Sequence, residues 1–305
     1  MTSRPRFLLF GGDGQLGREL QSVADRNGTS LVALGRRNGD ITRQMDVGRA
    51  LRQFAPDIVV NAAAYTKVDA AESEREVAWK VNCVGAGVVA AECAAARVPL
   101  IHVSTDYVFD GSKSAAYTED DAVAPLGSYG GSKEAGERAV REAWAEHLIV
   151  RTAWVYGSHG ANFLKTVMRL ARERDVLRIV SDQIGNPTAT EDLATAILVA
   201  GNGALASGGP WGTYHFAGSG DASWHEFAIE IVAAQSRWTG RHPVVTAIPT
   251  SDYPTPAKRP ANSRLDSGRF AATFGVRALP WRSRIPPVVE AVLRQTGFGD
   301  QLIHG

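Results

Sequence analysis

The chain has little cysteine, little lysine and no excess of either charge. Only Cys83 and Cys93 occur in 305 residues. Neither has a Cys or His partner at metal spacing, which excludes a disulfide framework and a zinc-type motif and leaves two reduced thiols. Basic and acidic residues number 33 and 32, for a formal net charge of +1, with no block of like sign. A surface that tracks nucleic-acid phosphates is therefore not expected. No long apolar run stands out, and Met1 leads straight into a strand without a charged-then-apolar leader. The expectation is a cytoplasmic protein without a membrane partner. Lysine supplies only six of the basic residues. The arginine that replaces it suits bidentate phosphate recognition, although a biased genome gives the same excess.

What is present is alternation. Phe7–Phe10, Leu31–Leu34, Ile58–Val60, Leu100–Ser104 and Leu148–Arg151 read as buried strands. Gln15–Arg26, Val47–Phe54, Glu72–Ala96 and Lys133–Ala145 read as the helices between them. Such alternation predicts an α/β fold with a Rossmann-type, doubly wound parallel sheet, whose ligands sit beyond the carboxyl ends of the strands. The second half is less regular. Helices are expected over Asn162–Glu173, Thr190–Val199, Trp224–Ala234 and Ile285–Gln295, and strands over Leu177–Val180 and Tyr214–Ala217. Gly201–Gly212 reads as a flexible link. A smaller α/β C-terminal substrate domain is expected, and it is discontinuous. Residues 1–155 plus about 186–222 would bind a dinucleotide, and about 156–185 plus 223–305 a sugar nucleotide.

The first strand runs into Gly11-Gly-Asp-Gly14-Gln15-Leu16-Gly17. Gly11 permits the tight turn, Gly14 the approach of a pyrophosphate, and Gly17 close helix–strand packing. Gln15 and Leu16 open the helix, whose free N–H groups face the phosphates. After the second strand the chain reads Leu34-Gly35-Arg36-Arg37, without the carboxylate that holds a ribose diol in NAD-specific folds. Arg36 there favours a 2′-phosphate, so NADPH is expected over NADH, with NADH possible; the plainer reading is two solvated arginines. Asp46, followed by Val47, either accepts the adenine amino group or caps its helix. Ala62, Ala63 and Ala64 leave room for the cofactor beside the third strand.

Tyr129-Gly-Gly-Ser-Lys133 follows Ser104-Thr105-Asp106 by one loop. A Tyr and a Lys four apart on a helix point the same way. A cation near a phenol stabilises the phenolate and brings its proton within catalytic range. Thr105, Tyr129 and Lys133 together suit proton exchange at a carbinol oxygen, with a hydride carrier in the glycine loop. The pair by itself also fits a solvated helical contact.

With these motifs in this order the chain resembles the extended short-chain dehydrogenase/reductase superfamily. Asn61-Ala-Ala-Ala-Tyr-Thr-Lys-Val-Asp69, Ser104-Thr-Asp-Tyr-Val-Phe-Asp-Gly111, Arg151-Thr-Ala-Trp-Val-Tyr156, Asp182-Gln-Ile-Gly-Asn-Pro-Thr188 and Arg259-Pro-Ala-Asn-Ser-Arg-Leu-Asp266 are similar to the dTDP-4-dehydrorhamnose reductases. The resemblance runs nearly end to end. It implies reduction of the carbon-4 ketone of a dTDP-sugar, to make the activated rhamnose of bacterial surface polysaccharides. It places Tyr129 as general acid, Lys133 on the nicotinamide ribose and Thr105 on the carbonyl oxygen. Asp106, Trp154, Asn162 and Arg259 would border the substrate, with Arg259 on the diphosphate. Related 4,6-dehydratases carry Thr-Asp-Glu, and here Tyr107 stands in place of that Glu, which removes an elimination base.

Some members of the family pair through a metal held by acidic residues, one of them in the glycine loop. This chain has Gln15 there, a poorer ligand for a hard cation, and Glu191 alone matches a second position. No metal requirement is expected, and monomer or homodimer stays open. Two other readings stay open as well. One is a non-catalytic, NADP-binding regulatory subunit like that of methionine adenosyltransferase. The other is a reductase or epimerase of another nucleotide sugar.

Overall fold

Phe7-Leu-Leu-Phe10 is apolar at every position because the strand it forms is covered on both faces. The computed structural model describes residues 5–295. β1 (Arg6–Phe10) is followed by α1 (Gln15–Asn27), β2 (Ser30–Leu34), α2 (Gln44–Phe54) and β3 (Ile58–Asn61). The next helical stretch comes in pieces, α3 (Arg75–Trp79), a π-helical turn (Lys80–Gly85) and α4 (Ala86–Ala96). β4 (Leu100–Thr105), α5 (Ser128–Ala143) and β5 (His147–Thr152) complete the first half. α5 thus begins five residues before the expected Lys133, so that Tyr129 and Lys133 share one helix.

The second half adds β6 (Val155–Tyr156), α6 (Phe163–Glu173), β7 (Val176–Val180), β8 (Ile184–Gly185) and β9 (Thr188–Ala189). It continues with α7 (Thr190–Ser207), β10 (Gly212–His215), β11 (Ala222–Ser223) and α8 (Trp224–Thr239). β12 (Val244–Ile248), α9 (Gly268–Phe274) and α10 (Trp281–Gln295) close the described chain. The main sheet has the order β10-β5-β4-β3-β1-β2, and every pairing in it is parallel. The strand order reverses between β1 and β3, which makes their carboxyl ends the expected ligand crevice. Apolar clusters fill both faces of this sheet. A separate cluster, built on Tyr156, Phe227 and Trp281, joins α6, α8, β7 and α10 in the smaller lobe.

Three expectations are corrected. Gly201–Gly212 is not a link, since α7 continues to Ser207. Ala200 and Ala204 are buried on the main sheet, and a Cβ on Gly201 would stand 2.7 Å from the Phe7 ring, so the glycine serves close packing. β12 was not expected as a strand, and it pairs in parallel with β7. Among the described residues, Arg75–Ala96 has the length and mean hydropathy, 1.2, of a membrane span, which was not expected either. Ala86, Val89, Ala90 and Cys93 of that stretch are buried in the cluster on one sheet face, so its second half, α4, packs as a core helix, while Val77, Trp79 and Val84 before it are exposed.

β10 returns to pair with β5, and α7 packs on the same sheet. Phe270 of α9, a residue assigned by sequence to the smaller domain, also belongs to the main-sheet cluster.

Candidate active site

A cleft of about 820 Å³ lies across the carboxyl ends of β1, β3 and β4. The glycine loop forms its floor. Gly11 has φ +90°, and a Cβ there would lie 2.6 Å from the Ala63 nitrogen, so β1 and β3 approach closely only because the residue is glycine. A Cβ on Gly17 would lie 2.1 Å from the Gly11 carbonyl, which fixes α1 against the loop. The N-cap of α1 is Gly14, with no side-chain cap and no acid in the first turn. The positive end of the helix therefore faces the cleft unopposed, which fits the pyrophosphate of a dinucleotide.

Gly11, Gly14, Gln15, Leu16, Arg36 and Ala62–Ala64 line this part of the cleft. Gly17 stands just behind it. Asp46 and Val47 do not line the cleft. Asp46 is a buried first-turn residue of α2, 3.0 Å from Arg49 and 3.6 Å from Arg43. Val47 is fully buried in the core. The turn before α2 supplies Asp40, Ile41 and Thr42 to the wall in their place. Asp40 lies 3.7 Å from Arg36 and accepts from the Thr42 N–H and hydroxyl at 3.0 and 2.8 Å. Asp13 also lines this end of the cleft. The sequence reading found no carboxylate here because Asp40 reaches Arg36 only through the turn.

Thr105, Asp106, Tyr129, Lys133 and Trp154 meet in the other half of the cleft, with Asn162 at its edge. The Thr105 hydroxyl donates to Asp106 at 3.0 Å and accepts from the Tyr107 N–H at 3.2 Å. The Tyr129 phenol is pushed up to about 12 by burial, opposed by its hydrogen bond to Thr105 and reinforced by the Asp106 charge. It is therefore a fully protonated donor at neutral pH. Lys133, expected to lower that value, is not among the groups that set it in this structure. Its Nζ donates to the Val103 carbonyl at 2.7 Å, turned toward β4. Burial pushes the Lys133 ammonium down to about 8, with the Glu137 charge opposing. Asp106 is pushed up to about 6 by burial, against hydrogen bonds from Ser263 and Thr105. Among the described residues its Oδ2 has no hydrogen-bond partner.

Trp154 adopts φ +45°, a conformation rare for a bulky residue. Its ring stacks on Trp224 with centroids 3.4 Å apart and 4° between planes. A Cβ on Gly185 would lie 2.4 Å from the Trp154 indole, so that glycine makes room for the stack. Asn162 caps α6 by accepting from the Lys165 N–H at 3.0 Å. Its Nδ2 donates to Gln15 Oε1 at 2.6 Å, which ties the smaller lobe to the glycine loop. Gln15 in turn donates to the Val155 carbonyl at 3.2 Å.

Arg259, expected on a diphosphate, stands behind the cleft wall, hydrogen-bonded to Tyr107, which lines the cleft. It pairs with Asp69 at 2.8 Å and 3.1 Å, so that its loop is clamped to the segment after β3. Lys67 lines the cleft and is exposed. Glu191, named as a metal-ligand match, pairs with Arg26 at 2.8 Å and Arg284 at 3.3 Å.

The model for the RmlD substrate binding domain matches residues 5–294. This chain belongs to that family. A dTDP-4-dehydrorhamnose reductase of Sinorhizobium fredii is 42% identical over 290 residues, covering 94% of this chain and 98% of its own. That of Escherichia coli K12 is 40% identical over 298 residues, covering 95% and 99%. A crystal structure of the Bacillus anthracis dTDP-4-dehydrorhamnose reductase in complex with NADP has a TM-score of 0.86 and 34% identity, covering 94% of this chain and 99% of that one.

Within this RmlD-family cleft, the sequence reading missed Trp224, Tyr65 and Glu74, all of which line it. Tyr65 donates to Glu74 at 2.9 Å. The only sequence signal for Trp224 was its place as the first residue of α8, behind the Ser223 cap. Tyr107, quoted only for the absence of a dehydratase Glu, stands edge-on to Tyr129 with centroids 5.7 Å apart.

Proposed function

We propose that this chain reduces the carbon-4 ketone of dTDP-4-dehydro-L-rhamnose with NADPH, giving dTDP-L-rhamnose. The observation that carries the reading is a protonated Tyr129 beside Thr105, in a cleft whose other half is an uncapped, glycine-built helix N-terminus. The cofactor supplies a hydride, an electron pair with one proton, to carbon 4. Everything else is work for side chains. Thr105 hydrogen-bonds the carbonyl oxygen and holds the carbon toward the cofactor. Tyr129 gives its proton to that oxygen as the electron pair arrives. Lys133 holds the ribose hydroxyls and steadies the phenolate that remains.

Trp154 and Trp224 offer an aromatic wall to the sugar, and Asp106 offers a buried carboxyl to its hydroxyls. Lys67 is the cation in reach of a diphosphate, and Arg259 contributes by holding its loop against Asp69. Arg36 takes the 2′-phosphate of NADPH, while Asp40 beside it leaves NADH usable. The lobe division follows the same reading, with the main sheet for the dinucleotide and the smaller lobe for the sugar nucleotide. Elimination is disfavoured because Tyr107 replaces the second acid of a dehydratase.

The reading is tested by absorbance loss of NADPH with enzymatically generated dTDP-4-dehydro-L-rhamnose. Oxidation with formation of dTDP-L-rhamnose supports it. Turnover only with a UDP-sugar would replace the substrate.

A further inference from the structure

The proposed reaction gives Lys133 on α5 a role but leaves His102 on β4, which stands against it, without one. His102 and Lys133 are 1% and 2% exposed. His102 Nε2 lies 3.4 Å from Lys133 Nζ, and His102 Nδ1 lies 3.2 Å from Asn61 Nδ2. A backbone group decides which atoms donate. The Ala63 N–H donates to Asn61 Oδ1 at 3.1 Å, so Asn61 presents its NH₂ to the ring. Nδ1 must then accept. A neutral imidazole carries one N–H, and here it is on Nε2, aimed at Nζ. An ammonium has only donors, so it meets this N–H as a repulsion, whereas an amine has a lone pair to accept it.

We propose that His102 is a positioning residue for Lys133 which, through the tautomer that Asn61 imposes, favours the neutral amine over the ammonium. The inference rests on the reading of Lys133 as the cation beside Tyr129. Burial holds the imidazole neutral, far below its ordinary value, with the charges of Lys133 and His147 acting in the same direction. The titratable groups facing the pair are Glu137 from α5 and His147 from β5, whose own value burial lowers. Glu137 opposes loss of the lysine proton, and Arg151 of β5 pairs with that carboxylate at 2.7 Å. Asn61 on β3 is uncharged. The site therefore loses its cation at mildly alkaline pH, and His102 sets where.

The experiment is ¹⁵N NMR of the histidine rings and of Lys133 Nζ in the full chain between pH 7 and 9.5, with NADPH oxidation followed over the same range. The wild-type His102 ring is expected neutral with its proton on Nε2. Asn61→Asp puts an acceptor opposite Nδ1, moves the ring proton there, and turns Nε2 into an acceptor for the ammonium. The Lys133 inflection and the alkaline limb of kcat then rise together, by about one pH unit or more, and the rise supports the proposal only with the ring proton seen on Nδ1, because the new carboxylate's charge alone also raises the lysine. A wild-type ring protonated on Nδ1, or on both nitrogens, overturns the proposal, and so does an Asn61→Asp inflection that stays or falls. The wild-type spectrum decides the tautomer even if the variant does not fold. A chain with the expected ring and lysine titrations but no turnover of the dTDP-sugar would sink the substrate reading and leave this inference standing.

Discussion

Arg151→Met should unfold this protein more readily than any surface substitution, because it takes from a buried carboxylate its buried cationic partner. Glu137 is fully buried and lies one turn beyond Lys133 on α5. It accepts from Arg151 at 2.7 and 2.9 Å, from Ser104 at 2.6 Å and from Arg141 at 3.1 Å. These bonds strap the helix that carries Tyr129 to β4 and β5. Burial pushes the Glu137 carboxyl up, and the hydrogen bonds and charge of Arg151, with Ser104 and Arg141, more than offset it, leaving it below the ordinary value. A carboxyl lowered on folding stabilises the fold above its unfolded pKa, and that contribution is lost as pH falls through the folded value. Methionine keeps most of the volume of Arg151 and removes the charge. Breaking a buried pair from one side costs about 3–5 kcal/mol. The folded-state carboxyl then moves up, so the penalty is full near neutral pH and shrinks as the acid becomes protonated. Urea unfolding of wild type and variant at pH 7.5 and pH 5 measures both effects. A loss below about 1 kcal/mol at pH 7.5, against the 3–5 expected for a broken buried pair, or a gap that widens at pH 5, would refute the reasoning.

Arg36→Ala should weaken NADPH about tenfold or more, the worth of one charged hydrogen bond, and leave NADH nearly unchanged; fluorescence titration with both cofactors checks this. Equal losses would mean that Arg36 does not meet the 2′-phosphate. Gly17→Ala drives a Cβ to within 2.1 Å of the Gly11 carbonyl. It should cost about 1–3 kcal/mol by overpacking and weaken cofactor binding with it, seen in urea midpoint and NADPH affinity. A variant with wild-type values in both would show that the loop is not closely packed there.

The local parts of this site could be read from the chain. Gly11 to Gly17 after an apolar strand, and Tyr129 four before Lys133, are short-range patterns whose geometry follows from one loop and one helix. What could not be read depended mostly on distant contacts. α7 runs through Gly201 because the Phe7 ring needs that gap, and no local signal reports it. Asp40 meets Arg36 from four residues on, across a turn whose shape the sequence does not give, and Asp46, read as an adenine acceptor or a helix cap, is held by Arg43 and Arg49. Trp224 joins the cleft only because the smaller lobe lays it on Trp154. The side chain of Lys133 was placed on the correct face, but its partner on β4 depends on the width of the β4–α5 contact, which spacing along the chain does not give.

The most direct test of the central claim is NADPH oxidation by wild type and by Tyr129→Phe with dTDP-4-dehydro-L-rhamnose. The phenylalanine keeps the ring beside Tyr107 and removes only the proton donor. The account predicts turnover by the wild type, a fall in kcat of about 10²–10⁴-fold in the variant, and unchanged NADPH affinity. Turnover by Tyr129→Phe at the wild-type rate would contradict it.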